Sequence, residues 1–412
     1  MYSKLNVTNW IFLVSIVIHT LFKFTNFSIN LPSLYLKMAE QGNQDSKDVI
    51  LCADIGGTNS RFVLYEVTPN MTAERGEIAP GKEIFTKIYR NEHYPTFMDI
   101  LKTCIDEANL NGKSPAAACL AVAGPVSNNA VTFTNREADG WHLDGNKMSR
   151  ELNIPEVKLV NDFVALGYGL LTLNHSKECV SLQRAQRDPE GPIACLGAGT
   201  GLGETFLAFG PDGYIAYPTE GGHSDYVPKN ALEWEMVEYL KNKFNESHRI
   251  SNERIVSGPG LASVYEFLAQ KFPERVDPAV QQALAEAEDL QAKVINENSK
   301  KKGSLCEQAM QIMISAYGYE AGVLGVKFMP TGGLYLAGGL TPKCIDMIKD
   351  HNGPFMKGFR DKGRVSGVLD KIPFEAVMEE DLGLRGSHLV AFKAYRKVKD
   401  LGLDQPQGCT IS

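Results

Sequence analysis

Residues 49–67 read VILCADIGGTNSRFVLYEV, and this stretch decides the fold that the rest of the chain is expected to adopt. Two apolar runs, Val49–Ala53 and Phe62–Tyr65, flank the polar segment Asp54–Asn59, which contains two adjacent glycines. Adjacent glycines permit the backbone conformations of tight turns and leave no Cβ between the backbone and a ligand. The stretch therefore predicts a β-hairpin with a glycine turn at its tip.

The polar residues of this turn favour a phosphate that is bound together with magnesium. Successive backbone N–H groups in such a turn form a concavity that binds anions. The Asp54 carboxylate would repel a phosphate directly, so a cation is expected between them. Mg²⁺ is usually held by one or two carboxylates, by water and by substrate phosphate. The alternative interpretation is an ordinary hairpin whose glycines only make the turn.

Composition limits the class of protein. The chain has 412 residues, of which 43% are hydrophobic, and this is enough for two domains with cores of their own. A formal net charge of −7 excludes the strongly basic surface that is typical of nucleic-acid-binding proteins. The eight cysteines are scattered and form no C-x-x-C pair, a pattern that predicts reduced thiols in a cytoplasmic protein.

The N-terminal extension, residues 1–48, differs from the rest of the chain. Its apolar segment Trp10–Ile18 is short for a membrane span but suits the core of a signal peptide. No A-x-A-like cleavage site clearly follows, and Met38 opens a polar segment that would be a normal start for a cytoplasmic protein. Residues 1–37 could thus be dispensable or untranslated, serve targeting or membrane-surface contact, or pack on the protein. Contact with a membrane is expected through these residues only.

A second site of interest is a carboxylate that follows a predicted buried strand. The strand Val157–Val160 leads directly into Asn161 and Asp162, and an apolar run then begins a predicted helix. Functional groups of open α/β sheets gather at the carboxyl ends of strands. Asp162 is therefore a candidate general base, and it could equally be the N-cap of the following helix. The two roles are compatible.

The opening device recurs later in the chain. A strand at Ile193–Leu196 enters the glycine-rich segment Gly197–Gly203, and a second strand is predicted at Thr205–Phe209. The glycine spacing does not match the dinucleotide-binding fingerprint G-x-G-x-x-G. Two strand–turn–strand units predict two related α/β halves that hold one nucleotide between them. A third glycine pair, Gly338-Gly339, also follows a predicted strand and could lie near the base or ribose.

The segment Glu220-Gly-Gly-His223 is predicted to be a loop whose Glu and His line a polar pocket. A zinc half-site is the alternative, but no Cys or further His follows at metal-ligand spacing. Glu253 lies in a polar segment, and nothing in the residues alone distinguishes it from a solvated surface glutamate. Residues 273–303 predict one exposed helix with a solvated charged face.

Seven motifs follow one another along the chain in this order: D-I-G-G-T-N, A-G-P, V-N-D-F, G-x-G-T-G-L-G, E-G-G-H, S-G-P-G and L-A-G-G-L-x-P-K. Together they resemble the motifs of the bacterial-type (group A) glucokinases. These enzymes belong to the hexokinase and actin-like ATPase superfamily. The resemblance covers about residues 49–395 and implies a two-domain α/β fold of the actin-like ATPase (ribonuclease H-like) type with an interdomain cleft. A small domain would comprise residues 49–172 and 382–412, and a large domain residues 173–381. A homodimer is also implied.

The resemblance further implies ATP-dependent phosphorylation of glucose at its 6-hydroxyl, with Asp162 as the catalytic base. Other sugar hydroxyls would be held by Asn161, Glu220, His223, Glu253 and, as a weaker match, Asn135. The ATP phosphates would be held by Gly56, Gly57, Thr58, Asn59, Gly199, Thr200 and Gly201, and the adenosine would lie by Gly338 and Gly339. Asp54 would hold Mg²⁺ through water.

Residues 224–230 lack the zinc-binding cysteines of the related ROK group. The N-terminal extension and residues 273–303 depart from the family pattern and are not expected to touch the site.

Other functions stay open at this stage. Carboxylates, an amide and an imidazole suit an uncharged polyol, since each sugar hydroxyl can both donate and accept a hydrogen bond. A kinase for mannose or glucosamine would use the same groups. A sugar sensor on the same fold would normally lose the base or carry a DNA-binding segment, whereas Asp162 is present and no basic helix-turn-helix is evident. An actin-like or chaperone-type ATPase would have no reason to keep the polyol-binding set.

Overall fold

The structure, a computed structural model, describes residues 47–133 and 140–402. The N-terminal residues 1–46 and the candidate sugar ligand Asn135 lie outside the described residues. Residues 48–67 and 71–402 belong to one compact unit, and both principal β-sheets lie in it.

The first sheet has five strands in the order β3-β2-β1-β4-β7. Their bounds are β1 (Asp48–Ile55), β2 (Asn59–Val67), β3 (Lys82–Arg90), β4 (Ala117–Val122) and β7 (Val157–Asn161), while β5 (Ala130–Thr132) and β6 (His142–Asp144) form a separate two-stranded sheet. The predicted hairpin is confirmed, because β1 and β2 pair antiparallel. Strands β1, β4 and β7 run parallel, with Ile55 beside Val122 and Val122 beside Asn161. This register places the first glycine turn and Asp162 at the same edge of the sheet.

The second sheet has six strands in the order β11-β10-β9-β12-β13-β8. Their bounds are β8 (Cys179–Gln183), β9 (Ile193–Ala198), β10 (Leu202–Gly210), β11 (Gly213–Thr219), β12 (Gly333–Ala337) and β13 (Phe374–Val377). Strands β9 and β10 form the predicted second hairpin, and β12 runs parallel to β9 with Ala337 beside Gly197. The glycine pair Gly338-Gly339 therefore begins beside the second glycine turn.

Thirteen α-helices lie in the described part of the chain. They are α1 (Phe97–Glu107), α2 (Gly145–Leu152), α3 (Asp162–Leu170), α4 (His175–Glu178), α5 (Ala231–Phe244), α6 (Gly258–Lys271), α7 (Pro278–Glu286), α8 (Gln291–Asn298), α9 (Leu305–Phe328), α10 (Leu340–Lys343), α11 (Ile345–Ile348), α12 (Pro354–Arg360) and α13 (Leu382–Asp400). Short 3₁₀ turns occur at Asn91–His93, Gly221–His223, Asn252–Arg254, Pro273–Arg275, Glu288–Leu290 and Gly363–Lys371.

The prediction of one exposed helix over residues 273–303 is wrong. Two short helices, α7 and α8, replace it, because Pro273 and Pro278 each start a new helical segment and a 3₁₀ turn separates α7 from α8. The face that carries Val280, Leu284 and Ile295 is buried in the core beside the second sheet. The alanine and lysine content hid this apolar face.

The C-terminal helix α13 packs closely on α3 and on the first sheet. A Cβ at Gly386 would overlap the carbonyl of Ala165, and one at Gly169 would overlap that of Leu382, so these two glycines allow the helix backbones to approach. The Ser387 hydroxyl donates to the Cys119 carbonyl at 2.8 Å. Helix α3, which begins at Asp162, is thus fixed from behind.

The described residues include no helix that is both long and apolar enough to span a bilayer. Seven cysteines lie in this part of the chain; all are free thiols, and all but Cys179 are buried.

Candidate active site

The first glycine turn, residues 56–59, is held in shape by a buried asparagine. Gly56 N–H donates to the Asn59 carbonyl at 2.9 Å. The Asn91 amide donates to the carbonyls of Gly56 and Gly57 at 2.8 and 3.1 Å and accepts from the Ser60 hydroxyl. Asn91 is fully buried, so these bonds satisfy its polar atoms inside the protein. Sequence reasoning missed Asn91, because it lies more than thirty residues away in an unremarkable polar segment.

Asp54 precedes this turn and faces Arg61 across the hairpin. Desolvation by the surrounding protein raises the pKa of Asp54, although Arg61 opposes the shift. Arg61 itself forms an ion pair with Asp381 at 3.0 Å. A solvent-accessible carboxylate beside the glycine turn fits a cation that is held through water. These residues are therefore suited to magnesium.

The N-cap role that the sequence left open for Asp162 belongs to Asn161 instead. Asn161 is the N-cap of α3, since its side chain accepts from the N–H groups of Phe163 and Val164 at 2.9 and 3.2 Å. Its amide also donates to the Gly124 carbonyl at 3.2 Å. Asp162 is the first helical residue, and it accepts from Phe163 N–H at 2.9 Å. One carboxylate oxygen of Asp162 therefore stays outside these bonds.

The electrostatic surroundings of Asp162 suit a general base. Desolvation raises its pKa to about 6, and the charges of Asp54 and Glu220 raise it as well. Asp54 belongs to the first sheet, whereas Glu220 follows β11 of the second. One charged residue from each sheet thus raises the pKa of Asp162. A base works best when its pKa lies near the working pH.

Phe163 connects Asp162 to the second glycine turn, residues 199–201. Its ring occupies the space that a Cβ at Gly203 would need, and it lies 3.2 Å from the ideal Cβ position of Gly197. The glycine-rich sequence thus admits an aromatic ring against the backbone of β9 and β10. The residue directly after Asp162 therefore packs against the two strands that flank the second glycine turn.

The carboxylates of Glu220 and Glu253 both lie close to the imidazole of His223. The His223 ring lies 3.9 Å from Glu220 and 4.0 Å from Glu253, measured between nitrogen and carboxylate oxygen. The other carboxylate oxygen of Glu253 accepts from Leu202 N–H at 2.8 Å, directly beside Gly201. Glu220 and His223 are exposed, whereas Glu253 is partly buried. The three side chains therefore offer acceptors and an imidazole to a polar ligand next to the second glycine turn.

A cavity of about 1030 Å³ opens beside the second glycine turn. Gly199, Thr200 and Gly339 line it, but Gly338 does not; Gly338 lies against the backbone of Ala198 instead. The far wall comes from the segment between residues 288 and 297, with Leu290, Ala292 and Asn296 among its members. The expectation that residues 273–303 avoid the site is therefore wrong. Long-range packing of α8 on α6 brings them there, and no local sequence pattern reports such packing.

The residues suited to a metal through direct ligands lie elsewhere. In residues 47–133 and 140–402, the cluster with three potential ligand atoms is His175, Cys179 and Glu375, not Glu220 and His223. His175 already pairs with Glu375 at 2.8 Å, and the Arg187 guanidinium contacts the same carboxylate oxygen at 2.8 Å. A guanidinium in that place supplies the positive charge that a metal would bring. The Glu375 oxygen therefore already has two partners within the protein.

The glucokinase family model matches residues 51–394. A glucokinase from Synechocystis is 39% identical over 355 residues, which cover 83% of this chain and 97% of that protein. A glucokinase from Balamuthia mandrillaris, solved in complex with glucose, has a TM-score of 0.66 at 22% identity and covers 88% of this chain and 99% of its own. A ROK-family glucokinase from Streptomyces griseus, solved with glucose and AMPPNP, has a TM-score of 0.55 at 19% identity and covers 84% of this chain and 99% of its own.

The fold prediction, a two-domain α/β fold of the actin-like ATPase type, is confirmed by these structural matches together with the two sheets described above. The family match extends from β1 into α13 and so includes every candidate site residue named above. The chain belongs to the glucokinase family.

Proposed function

We propose that this chain transfers the terminal phosphoryl group of ATP to the 6-hydroxyl of glucose. The observation that carries the proposal is the placement of Asp162, a half-buried carboxylate with a pKa near 6 on which Asp54 from the first sheet and Glu220 from the second both act. Phosphoryl transfer needs positioning and charge neutralisation more than covalent help from the protein. In this reaction Asp162 accepts the proton of the attacking hydroxyl.

The sugar would lie between Asp162 and the three side chains around His223. The Asn161 side chain caps α3, and its amide group donates to the Gly124 carbonyl. Glu220 and Glu253 accept from sugar hydroxyls, and His223 donates or accepts according to its tautomer. No lysine or arginine belongs to this set, which favours an uncharged sugar over an anionic one. Asn135 stays a prediction, since it lies outside the described residues.

ATP would be held by both glycine turns, with its phosphates against residues 56–59 and 199–201. The adenosine would occupy the cavity of about 1030 Å³, where Gly339 and Ala292 line the wall. When bound, magnesium neutralises charge on the phosphates as the transfer proceeds. Asp54 would hold the ion through water, and Arg61 would limit the negative charge at this corner.

The finer classification and organisation are also proposals. The lack of cysteines at residues 224–230 supports the bacterial-type (group A) branch over the ROK group. We place the first domain boundary after residue 172, just beyond the end of helix α3 at Leu170, and the second at residue 382, where α13 begins. A homodimer and a cytoplasmic location complete the proposal; the seven free thiols of the described chain suit a reducing compartment.

A hexose panel tests the function. We expect ADP release with glucose, ATP and magnesium, and far less ADP release when the sugar is omitted, because the attacking hydroxyl completes the site. Mannose and glucosamine measure the preference between hexoses. Equal ADP release with and without sugar would indicate an ATPase, and sugar binding without any turnover would indicate a sensor.

Replacing Ala292 by Phe tests the position of the adenosine. The new ring would fill part of the cavity beside Gly199. It would exclude the adenosine sterically and deprive it of an apolar contact surface. We therefore expect the KM for ATP to rise about tenfold or more. The KM for glucose should stay unchanged. Ala279→Phe, on the exposed side of the neighbouring helix α7, is the matched control. An unchanged KM for ATP in Ala292→Phe would place the adenosine elsewhere.

A further inference from the structure

Two buried glutamates lie behind the proposed sugar site and have no role in the chemistry described above. Glu204 on β10 is 3% exposed, and Glu320 on α9 is 4% exposed. Buried carboxylates are rare unless they are paired with a cation or hydrogen-bonded. In the described chain, one oxygen of each of these two side chains is buried without a hydrogen-bond partner of its own. Their burial therefore requires an explanation.

A proton that Glu204 and Glu320 share would explain why both carboxyl groups can be buried. The two carboxyl groups are within hydrogen-bonding reach of each other, and such a bond exists only when one of them carries a proton. Burial, assisted by the charge of Glu320, raises the pKa of Glu204 to about 8, and burial also raises the pKa of Glu320. The pair therefore keeps one proton near neutral pH, as two close carboxyl groups generally do.

The charged and titratable groups that face this pair come from several elements. The charge of Lys327 on α9 lowers the pKa of both carboxyl groups, and the charges of Lys362 and Lys229 lower the pKa of Glu320. Burial outweighs these charges. Burial lowers the pKa of Lys362 to about 8 and also lowers that of Lys229. Cys195 on β9 lies near Glu204, and burial raises the pKa of this thiol well above its ordinary value, so it stays protonated at neutral pH. Two groups, the pair itself and Lys362, thus titrate near pH 8.

The first contact of the pair with the sugar site is through Glu204. A Cβ at Gly221 would overlap the Glu204 carboxylate, so the turn Gly221–His223 lies directly on that group. Glu220 and His223 are at the two ends of this turn. Any movement of the Glu204 carboxyl would therefore displace two of the three side chains proposed to bind the sugar.

The second contact is through Glu320 and Asn252. The buried Asn252 amide donates to Glu320 at 2.7 Å and to the Ser224 hydroxyl at 3.1 Å, and its backbone N–H donates to the Ser224 carbonyl at 2.9 Å. Asn252 directly precedes Glu253, and Ser224 directly follows His223. One buried amide therefore ties both sugar-binding turns to Glu320.

We propose that Glu204 and Glu320 form a positioning pair, which shares one proton and thereby holds the turns Gly221–His223 and Asn252–Arg254 in the arrangement that binds glucose. The inference rests on the proposed assignment of Glu220, His223 and Glu253 to the sugar. When the pair loses its proton, two adjacent negative charges repel each other beneath the Gly221 turn. Affinity for glucose then falls, while the phosphate turns and Asp162 are unaffected.

The test is the pH dependence of glucose binding in the intact enzyme, measured as KM and, without ATP, as Kd by calorimetry. A group with a pKa near 8 is about thirtyfold more ionised than protonated at pH 9.5. In the wild type we therefore expect KM and Kd for glucose to rise about tenfold between pH 7 and pH 9.5, with little change in kcat. In Glu204→Gln, where the amide imitates the protonated carboxyl permanently, both should be nearly constant and close to the wild-type value at pH 7.

Three further variants make the outcome decisive. Glu320→Gln should behave like Glu204→Gln and serves in its place if that variant does not fold. Lys362→Arg keeps its positive charge throughout and should retain the rise, which excludes Lys362 as its source. Glu253→Gln should bind glucose weakly already at pH 7; if it binds normally, the sugar-site assignment fails, and the positioning role with it. If Glu253→Gln binds weakly but the wild type shows no rise, or the rise persists in both glutamine variants of the pair, the pair inference alone is overturned.

Discussion

Replacing Asp162 by Asn is expected to lower kcat by about 10²–10⁴-fold while glucose affinity stays within about tenfold of the wild-type value. The amide cannot accept a proton from the attacking hydroxyl at neutral pH, but it can still accept the Phe163 N–H that the carboxylate now accepts at 2.9 Å. The variant also removes one of three negative charges that lie close together, since Asp54 and Glu220 both act on Asp162. Its stability should therefore equal or exceed that of the wild type.

The measurement is a coupled assay of ADP release together with calorimetric titration of glucose and a thermal melt. Asp162→Ala should lose turnover to a similar extent. Asp144→Asn is a matched control, because Asp144 also stands at a helix N-terminus and accepts from Lys147 N–H at 3.0 Å. The control should turn over normally. Turnover within a few-fold of the wild type in Asp162→Asn would mean that another group takes the proton.

The pH profile gives an independent measure of the same assignment. The pKa of Asp162 is raised to about 6, and the ionised form is the active base. The kcat/KM of the wild type should therefore fall as the pH decreases through 6, by about tenfold per unit below it, and Asp162→Asn should lack this limb.

Local sequence chemistry explains why so much of this site could be predicted. The first glycine turn, the strand before Asp162 and the second hairpin are each specified within about twenty residues, by adjacent glycines between apolar runs. All three appear at the expected places in the structure. Glu253 could be selected only through the family resemblance, since a glutamate in a polar segment is usually solvated.

What could not be predicted depends on long-range packing. Asn91 holds the first glycine turn from a distant 3₁₀ turn, and the segment between residues 288 and 297 reaches the cavity because α8 packs on α6. Glu204 and Glu320 are buried in elements whose neighbouring residues give no sign of a carboxyl pair. Each of these features pairs a residue with a partner far along the chain, and the periodicity of one segment contains no information about such a partner.

Replacing Gly203 by Ala should have the second large effect, a loss of kcat of about 10²-fold from a change that touches no substrate. A Cβ at Gly203 would overlap the ring of Phe163, which directly follows Asp162. The ring has little room to retreat, because Gly197 lies on its other edge and α3 is fixed from behind by the close contacts of Gly386 and Gly169 with their neighbours. The added methyl group must therefore push the start of α3, and the Asp162 carboxylate with it.

Overpacking of this kind also costs about 1–3 kcal/mol of folding free energy, so a thermal melt should show a lower midpoint. Gly210→Ala is the matched control, because Gly210 ends the same strand and the ideal Cβ position there has its nearest neighbour at 3.7 Å. Reducing the ring in the double variant Gly203→Ala/Phe163→Leu should restore part of the lost turnover, since leucine leaves space for the methyl group. If Gly203→Ala lowers stability but keeps kcat, the Asp162 carboxylate does not depend on the Phe163 ring for its position.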